Sequence, residues 1–295
     1  MQSICNCSTN RGYGIDLAGY TVGKTRVAEA FEDDTGQTVI QILSGHVFDR
    51  KFGTDVRLSP VADGEREALI AWLNAGRVAV DVPIDLQQLA QIGSKVDHVW
   101  ELTKRPIDRA YGGMAPLADR IGAPVARFQH LLSGLPGESI SASLGIRLFE
   151  TYPAASLKLI KKVCPSLDLK SGYKPSRARW TGAEWVRADD NKQSASLADM
   201  CGAIGLYAVE NIEIDDDQFD AALCALAALY ASNTHYSCLG EELMRSAPKL
   251  TPGLAPDGYV LLKHLPATLL IQHKVRKSDP QTPAEQPPAT AREEV

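Results

Sequence analysis

The sequence predicts a mixed α/β domain: an antiparallel three-strand meander joined by crossovers to two parallel strands, flanked by helices and interrupted by a helical insert. Three observations lead there. Apolar runs at Gly12–Leu17, Thr21–Phe31 and Gln37–Leu43 are separated by the turn signals Ala18-Gly19 and Asp33-Asp34-Thr35-Gly36, and short connections favour antiparallel neighbours. Arg77–Pro83 and Gly145–Pro153 are nearly continuous apolar stretches, as expected of strands covered on both faces. Helical segments separate or follow them, which is the alternation of a sheet with crossovers.

The elements follow in order. Pro60–Ala75 reads as a helix, with Leu69, Ile70, Trp72 and Leu73 on its apolar side and Gly76 stopping it. From about Asp85 to Gly145 the chain is helical or irregular and rich in Gly and Pro, in keeping with an inserted cap. A helix is expected from Ala154 to Cys164, a basic loop over 165–192, and two helices at about Ser194–Glu210 and Asp216–Ser232. A last short strand is expected at Gly258–Leu262. Residues 1–10 read as a flexible leader and 11–273 as the folded domain; Lys274–Val295, with Pro280, Pro283, Pro287 and Pro288, reads as a disordered tail.

Composition narrows the functional classes. At 295 residues the chain can bury a substantial core, and 44% hydrophobic with 23% charged residues is ordinary for a globular protein. The net charge of −5 provides no global basic field for nucleic acid, so any such footprint must be local. The polar start MQSICNCSTN carries no apolar signal core, and no run of about 18 apolar residues suggests a membrane span. The six cysteines lack paired metal-ligand spacing and read as free thiols of a cytoplasmic protein.

Carboxylates mark the ends of three buried strands. Asp16 precedes Leu-Ala-Gly, Asp81 precedes Val-Pro, and Glu150 precedes Thr-Tyr-Pro. In open α/β sheets, ligands bind outside the carboxyl ends of the strands, so neighbouring parallel strands would gather these acids at one edge. In DDDQFDAALCALAALY, Asp220, Cys224, Ala227 and Ala231 form a stripe of small residues that lets the helix approach the sheet and carries Asp220 to the same edge. Asp217 lies one turn earlier. Crowded carboxylates repel unless a cation neutralises them, and hard oxygen ligands suit Mg²⁺ or Mn²⁺. Two such ions about 3.5–4 Å apart can hydrolyse a phosphodiester. Alternatives stand beside this: Asp217 as part of a helix cap, and Glu150 as the partner of an arginine such as Arg147.

The motifs GIDLAG, VAVDVPIDL, RPIDRAYG, FETYPAASL, the pair Tyr173-Lys174, DAALCALAALYA and PDGYVLL occur in an order that resembles the predicted RNase H-like nuclease family, domain-of-unknown-function family 429. The likeness spans most of Gly12–Leu262. It implies an RNase H-like sheet, metal binding by Asp16, Asp81 and Asp220 with Glu150 as a further candidate, and a two-metal nuclease acting on DNA or RNA. Asp217 and Asp220 look like the paired acids on the last helix of Holliday-junction resolvases. The family's Arg-x-x-Asp element falls on Arg105 and Asp108, in a catalytic, substrate-binding or structural role.

A local basic footprint exists. Between Lys158 and Arg187 stand eight Lys or Arg against two acids, with Tyr173, Trp180 and Trp185 interleaved. Lys174, Arg177, Arg179 and Trp180 are therefore candidate substrate contacts, cations for phosphates and rings for bases; the alternative is a solvated loop anchored by its tryptophans. His235 is a candidate proton shuttle or a surface histidine. Two other functions compete with a nuclease: a catalytically silent nucleic-acid-binding or scaffold protein, and an actin- or sugar-kinase-like phosphotransferase. The latter lacks a second Gly-rich loop, and Gly19–Thr25 ends in Gly-Lys-Thr without the spacing of a phosphate loop.

Overall fold

The computed structural model describes residues 10–20, 24–49, 64–86, 103–116, 118, 120–135, 143–167, 177–188, 197–240, 242 and 258–275. The expected leader before Asn10, the start of the first helix, the first part of the insert, Lys170, Tyr173, Lys174 and the tail beyond Val275 lie outside these residues.

A seven-stranded mixed sheet, flanked by helices on both faces, organises the protein. Strands β1 (Arg11–Asp16), β2 (Arg26–Glu32) and β3 (Thr38–Ser44) form the expected antiparallel meander. Helix α1 (Glu65–Ala75) crosses over to β4 (Arg77–Val80), which runs parallel to β1. Among the described residues of the insert, helices α2 (Pro106–Tyr111) and α3 (Gly122–Ser133) follow, before β5 (Leu148–Glu150) joins β4 in parallel. Helix α4 spans Pro153–Val163 and starts on a proline, which fits the first turn because it lacks only an N–H that would be unpaired there.

Three sequence expectations are corrected downstream. The segment expected to be a basic loop contains a hairpin, β6 (Ala178–Trp180) and β7 (Trp185–Arg187). Its alternation is too short to stand out: Ala178 and Trp180 turn inward while Arg179 is exposed. The helix expected over 194–210 is shorter, α5 (Leu197–Ala203), because Gly205 takes a left-handed φ of 70° and redirects the chain into β8 (Leu206–Ala208). Strand β9 (Glu213–Ile214) completes a three-stranded sheet with β6 and β7.

Helix α6 (Asp216–Leu229) is followed by β10 (Ser237–Leu239), β11 (Val260–Leu262) and β12 (Leu269–Val275). Strand β12 places Lys274 and Val275 in the sheet rather than in the tail. The order of the large sheet is β5-β4-β1-β2-β3-β12-β8. Among the described residues no helix is long and apolar enough to cross a membrane.

Two cores lie on opposite sides of this sheet. Ala28, Ala30, Ala79 and Phe149 face α6 and its neighbours α4 and α5, whereas Ile15, Val27, Val78, Val80 and Leu148 face α1 and α3. The period-2 pleat of each strand explains the division. Helix α6 is buried almost throughout, and it rests on β1 through glycines: a Cβ on Gly12 would overlap backbone atoms of Ala225 and Leu229, and one on Gly14 those of Ala221 and Ala225. The contacting positions are thus Ala221, Ala225 and Leu229, and none of them belongs to the expected stripe.

Candidate functional site

The β1–β4 register pairs Ile15 with Val80, and the Asp81 N–H donates to the Ile15 carbonyl at 3.0 Å. Asp16 and Asp81 therefore follow their strands at the same level. Asp16 continues the face of Gly12 and Gly14, the one that carries α6. The two chains advance in step, because two strand residues and four helix residues both cover about 6–7 Å. Gly12 meets Ala225 and Leu229, Gly14 meets Ala221 and Ala225, and one further step brings Asp16 toward the N-terminal end of α6, which holds Asp217 and Asp220. The glycines are the reason these acids come together.

All four aspartates line one cavity of about 720 Å³, together with Glu150 and Arg105. Asp220 is buried at 1% exposure, and Asp16, Asp81 and Asp217 are half-buried. The helix cap is Asp215, whose carboxylate accepts the Gln218 N–H at 2.7 Å while the Gln218 side chain accepts the Asp215 N–H at 2.9 Å. Asp215 also pairs with Arg26 at 3.2 Å. Asp215, Asp216 and Asp217 approach one another within 4.8 Å, but the capping duty falls on the first of them.

Glu150 occupies the other pleat. It is level with Val80 and shares the face of Leu148, away from α6. Its carboxylate accepts two bonds from the Arg105 guanidinium, at 2.8 and 2.6 Å, and one from the Ile84 N–H at 2.9 Å. Arg105 forks to Asp108 as well, at 3.0 and 2.8 Å, and donates to the Asp85 carbonyl at 3.3 Å. Burial pulls the guanidinium pKa down, yet the Glu150 and Asp108 carboxylates together hold it above its ordinary value. The partner of Glu150 is thus Arg105, not Arg147, which donates to the Leu73 carbonyl at 3.0 Å. Arg105, 1% exposed, ties the strand end to the start of α2 and turns its nitrogens to protein acceptors, which does not suit it to contact substrate.

A second buried arginine holds the other insert helix. Arg127 on α3 pairs with Glu65 on α1 at 2.6 Å and donates to the Ala18 carbonyl at 2.9 Å and the Thr25 hydroxyl at 3.1 Å. Ala123 and Pro124 at the start of α3 pack beside Gly19. Lys24 and Arg120 are exposed cations that line the same cavity; Lys24 is the lysine of the Gly-Lys-Thr stretch, and no periodicity or motif in the sequence marks Arg120. Tyr259 lines it too, and burial first, then Glu150, pushes its phenol well above the ordinary range.

The described residues of the basic segment lie apart from the cavity lining. Trp180 and Trp185 are each 9% exposed and meet edge-to-face at 5.6 Å, and Trp185 donates to the Leu206 carbonyl. They anchor the hairpin rather than present rings to bases. Arg177 is exposed and pairs with Glu213 at 3.3 Å, and Arg179 is exposed beside it. His235 stacks on His264 at 5.0 Å, away from the cavity lining.

No protein-family model matches the chain, and no curated protein or solved structure matches it significantly.

Proposed function

We propose that the protein is a divalent-metal-dependent phosphodiesterase, a nuclease acting on DNA or RNA, built on an RNase H-like core. One observation carries this reading: Asp16, Asp81 and Asp220, scattered through the sequence, line a single cavity at the carboxyl edge of neighbouring strands. The strand order β3-β2-β1-β4-β5, with β1, β4 and β5 parallel, supports the RNase H-like part of the proposal.

The donor set fits Mg²⁺ or Mn²⁺ in chemistry: among the described residues the lining offers hard carboxylate oxygens and neither thiol nor imidazole, while the three acids whose carboxylates lie within 4.8 Å of one another are Asp215, Asp216 and Asp217. Asp16, Asp81 and Asp220 would hold the metal, with Asp217 completing the set. When bound, such ions supply Lewis acidity and a hydroxide nucleophile at neutral pH. Asp16 and Asp81 contribute carboxylates fixed by the ends of β1 and β4. Asp220, held on a helix that the glycines of β1 keep close, contributes a buried carboxylate whose desolvation favours a cation beside it. Arg105 and Glu150 brace the β4–β5 edge through bonds to one another and to Ile84.

The test is Mn²⁺ binding by calorimetry together with cleavage of single-stranded and duplex DNA and RNA, comparing the wild type with Asp16→Asn and Asp220→Asn. Metal binding and metal-dependent cleavage in the wild type, both lost in the variants, is the expected result. Metal binding without cleavage would leave a silent nucleic-acid-binding protein, and undiminished cleavage in both variants would overturn the assignment.

A further inference from the structure

We infer that the cavity takes the end of a single nucleic-acid strand, so that the protein acts from termini and does not cut within a continuous strand. This rests on the nuclease reading above and specifies its substrate.

The volume is the first argument. About 720 Å³ falls inside the range of small-ligand sites, about 300–1,000 Å³, which is the scale of a nucleotide or two. Shape is the second. Strand-end acids that serve a continuous duplex need open sides along which both strands can pass. Here α2 and α3 of the insert contribute to the lining. Each is fastened to the sheet edge by an arginine 1% exposed, Arg105 to Glu150 and Arg127 to the Ala18 carbonyl. A buried arginine paired to a carboxylate, forked to Glu150 for Arg105 and to Glu65 for Arg127, is costly to pull out, so these walls are not a loose flap.

The distribution of charge is the third argument. The acids lie deep or half-buried, whereas the cations Lys24 and Arg120 are exposed and stand toward solvent. Tyr20, half-buried, and Met114, 47% exposed, add apolar surface to the same lining. A terminal nucleotide matches this order. Its scissile phosphate would reach the acidic floor through the divalent cation, the base would lie on Tyr20 and Met114, and the next phosphate would meet Lys24 and Arg120. Lys24 and Arg120 thereby become specificity-determining residues for a strand that enters end-on.

The experiment uses the full chain with Ca²⁺ in place of Mn²⁺, so that binding is read without turnover. A fluorescein-labelled short single-stranded DNA is followed by anisotropy and competed with unlabelled DNA of one sequence in linear and covalently closed circular form. The linear competitor is expected to displace the probe at least about tenfold better than the circle. Lys24→Ala and Arg120→Ala should each weaken the linear strand about tenfold and lower the slope of log affinity against log salt by about 1, with calorimetric Mn²⁺ affinity unchanged. Equal competition by the circle overturns end recognition and leaves the nuclease reading intact. Absence of metal-dependent binding of both this DNA and an RNA of the same sequence overturns both.

Discussion

Gly14 and Ala221 meet backbone to backbone: the missing side chain of the glycine leaves the space that the Ala221 carbonyl of α6 occupies. The consequence for stability is direct. Gly14→Ala must push the helix off the strand and should cost at least about 3 kcal/mol, read as a lower urea midpoint or loss of soluble protein. Gly202, exposed on α5 with nothing within 4 Å of the place a methyl would take, supplies the contrast. Gly202→Ala should stabilise by about 0.5–1 kcal/mol through helix propensity. Equal effects at the two positions would contradict the close packing.

Arg105→Ala should be among the most damaging single changes in the insert. It leaves Glu150 and Asp108, both buried, without their shared cation, at a cost of about 3–5 kcal/mol in chemical denaturation. Arg105→Lys should recover only part of the loss, since an ammonium cannot fork to two carboxylates.

Metal should act on the fold as well as on the chemistry. With free Mn²⁺ at one hundred times its dissociation constant, the wild type should gain about 2.7 kcal/mol of stability, seen as a rise in melting temperature. Asp220→Asn should lose most of that gain. A Mn²⁺-induced rise of the same size in the variant would argue that the ion binds elsewhere.

Tyr13 sets an alkaline limit. Its phenol is 7% exposed and donates to Glu29 at 3.2 Å; burial first, then the Glu29 charge, pushes its pKa up to about 12. A folded-state value above the unfolded 10 means the proton is held more tightly in the native state. The stabilisation is fully present below pH 10 and is lost as pH rises through 12, by about 3 kcal/mol. Tyr13→Phe should therefore be less stable than wild type at pH 8, where it lacks the bond to Glu29. That deficit should shrink as pH climbs above 10. Denaturation curves at both pH values check it.

Much of this arrangement is legible in the sequence because it is local. The meander, β4, β5, α4 and α6 follow from apolar runs and their punctuation, and the acids at the ends of those runs point to the shared cavity. What escapes is set by long-range geometry. Glu150 carries the same strand-end signature as Asp16 and Asp81, yet parallel pairing places it level with Val80 and so on the opposite pleat. Its partner Arg105 lies 45 positions away in an insert with no periodic pattern. Strands β8 and β12 are missed for a different reason. Three residues after Gly205 make a weak strand signal, and LLIQHKV runs straight into a polar, proline-rich tail.

The position of β12 bears on how the molecule comes into being. Strand β8 has β12 as its sheet neighbour, and β12 in turn lies against β3. As the polypeptide leaves the ribosome, Leu206–Ala208 must therefore wait for Leu269–Val275 before it can join the sheet. The acids, all encoded upstream, can gather early; the far flank of the sheet closes last, and a stalled nascent chain would expose the outer edge of β3 to its neighbours.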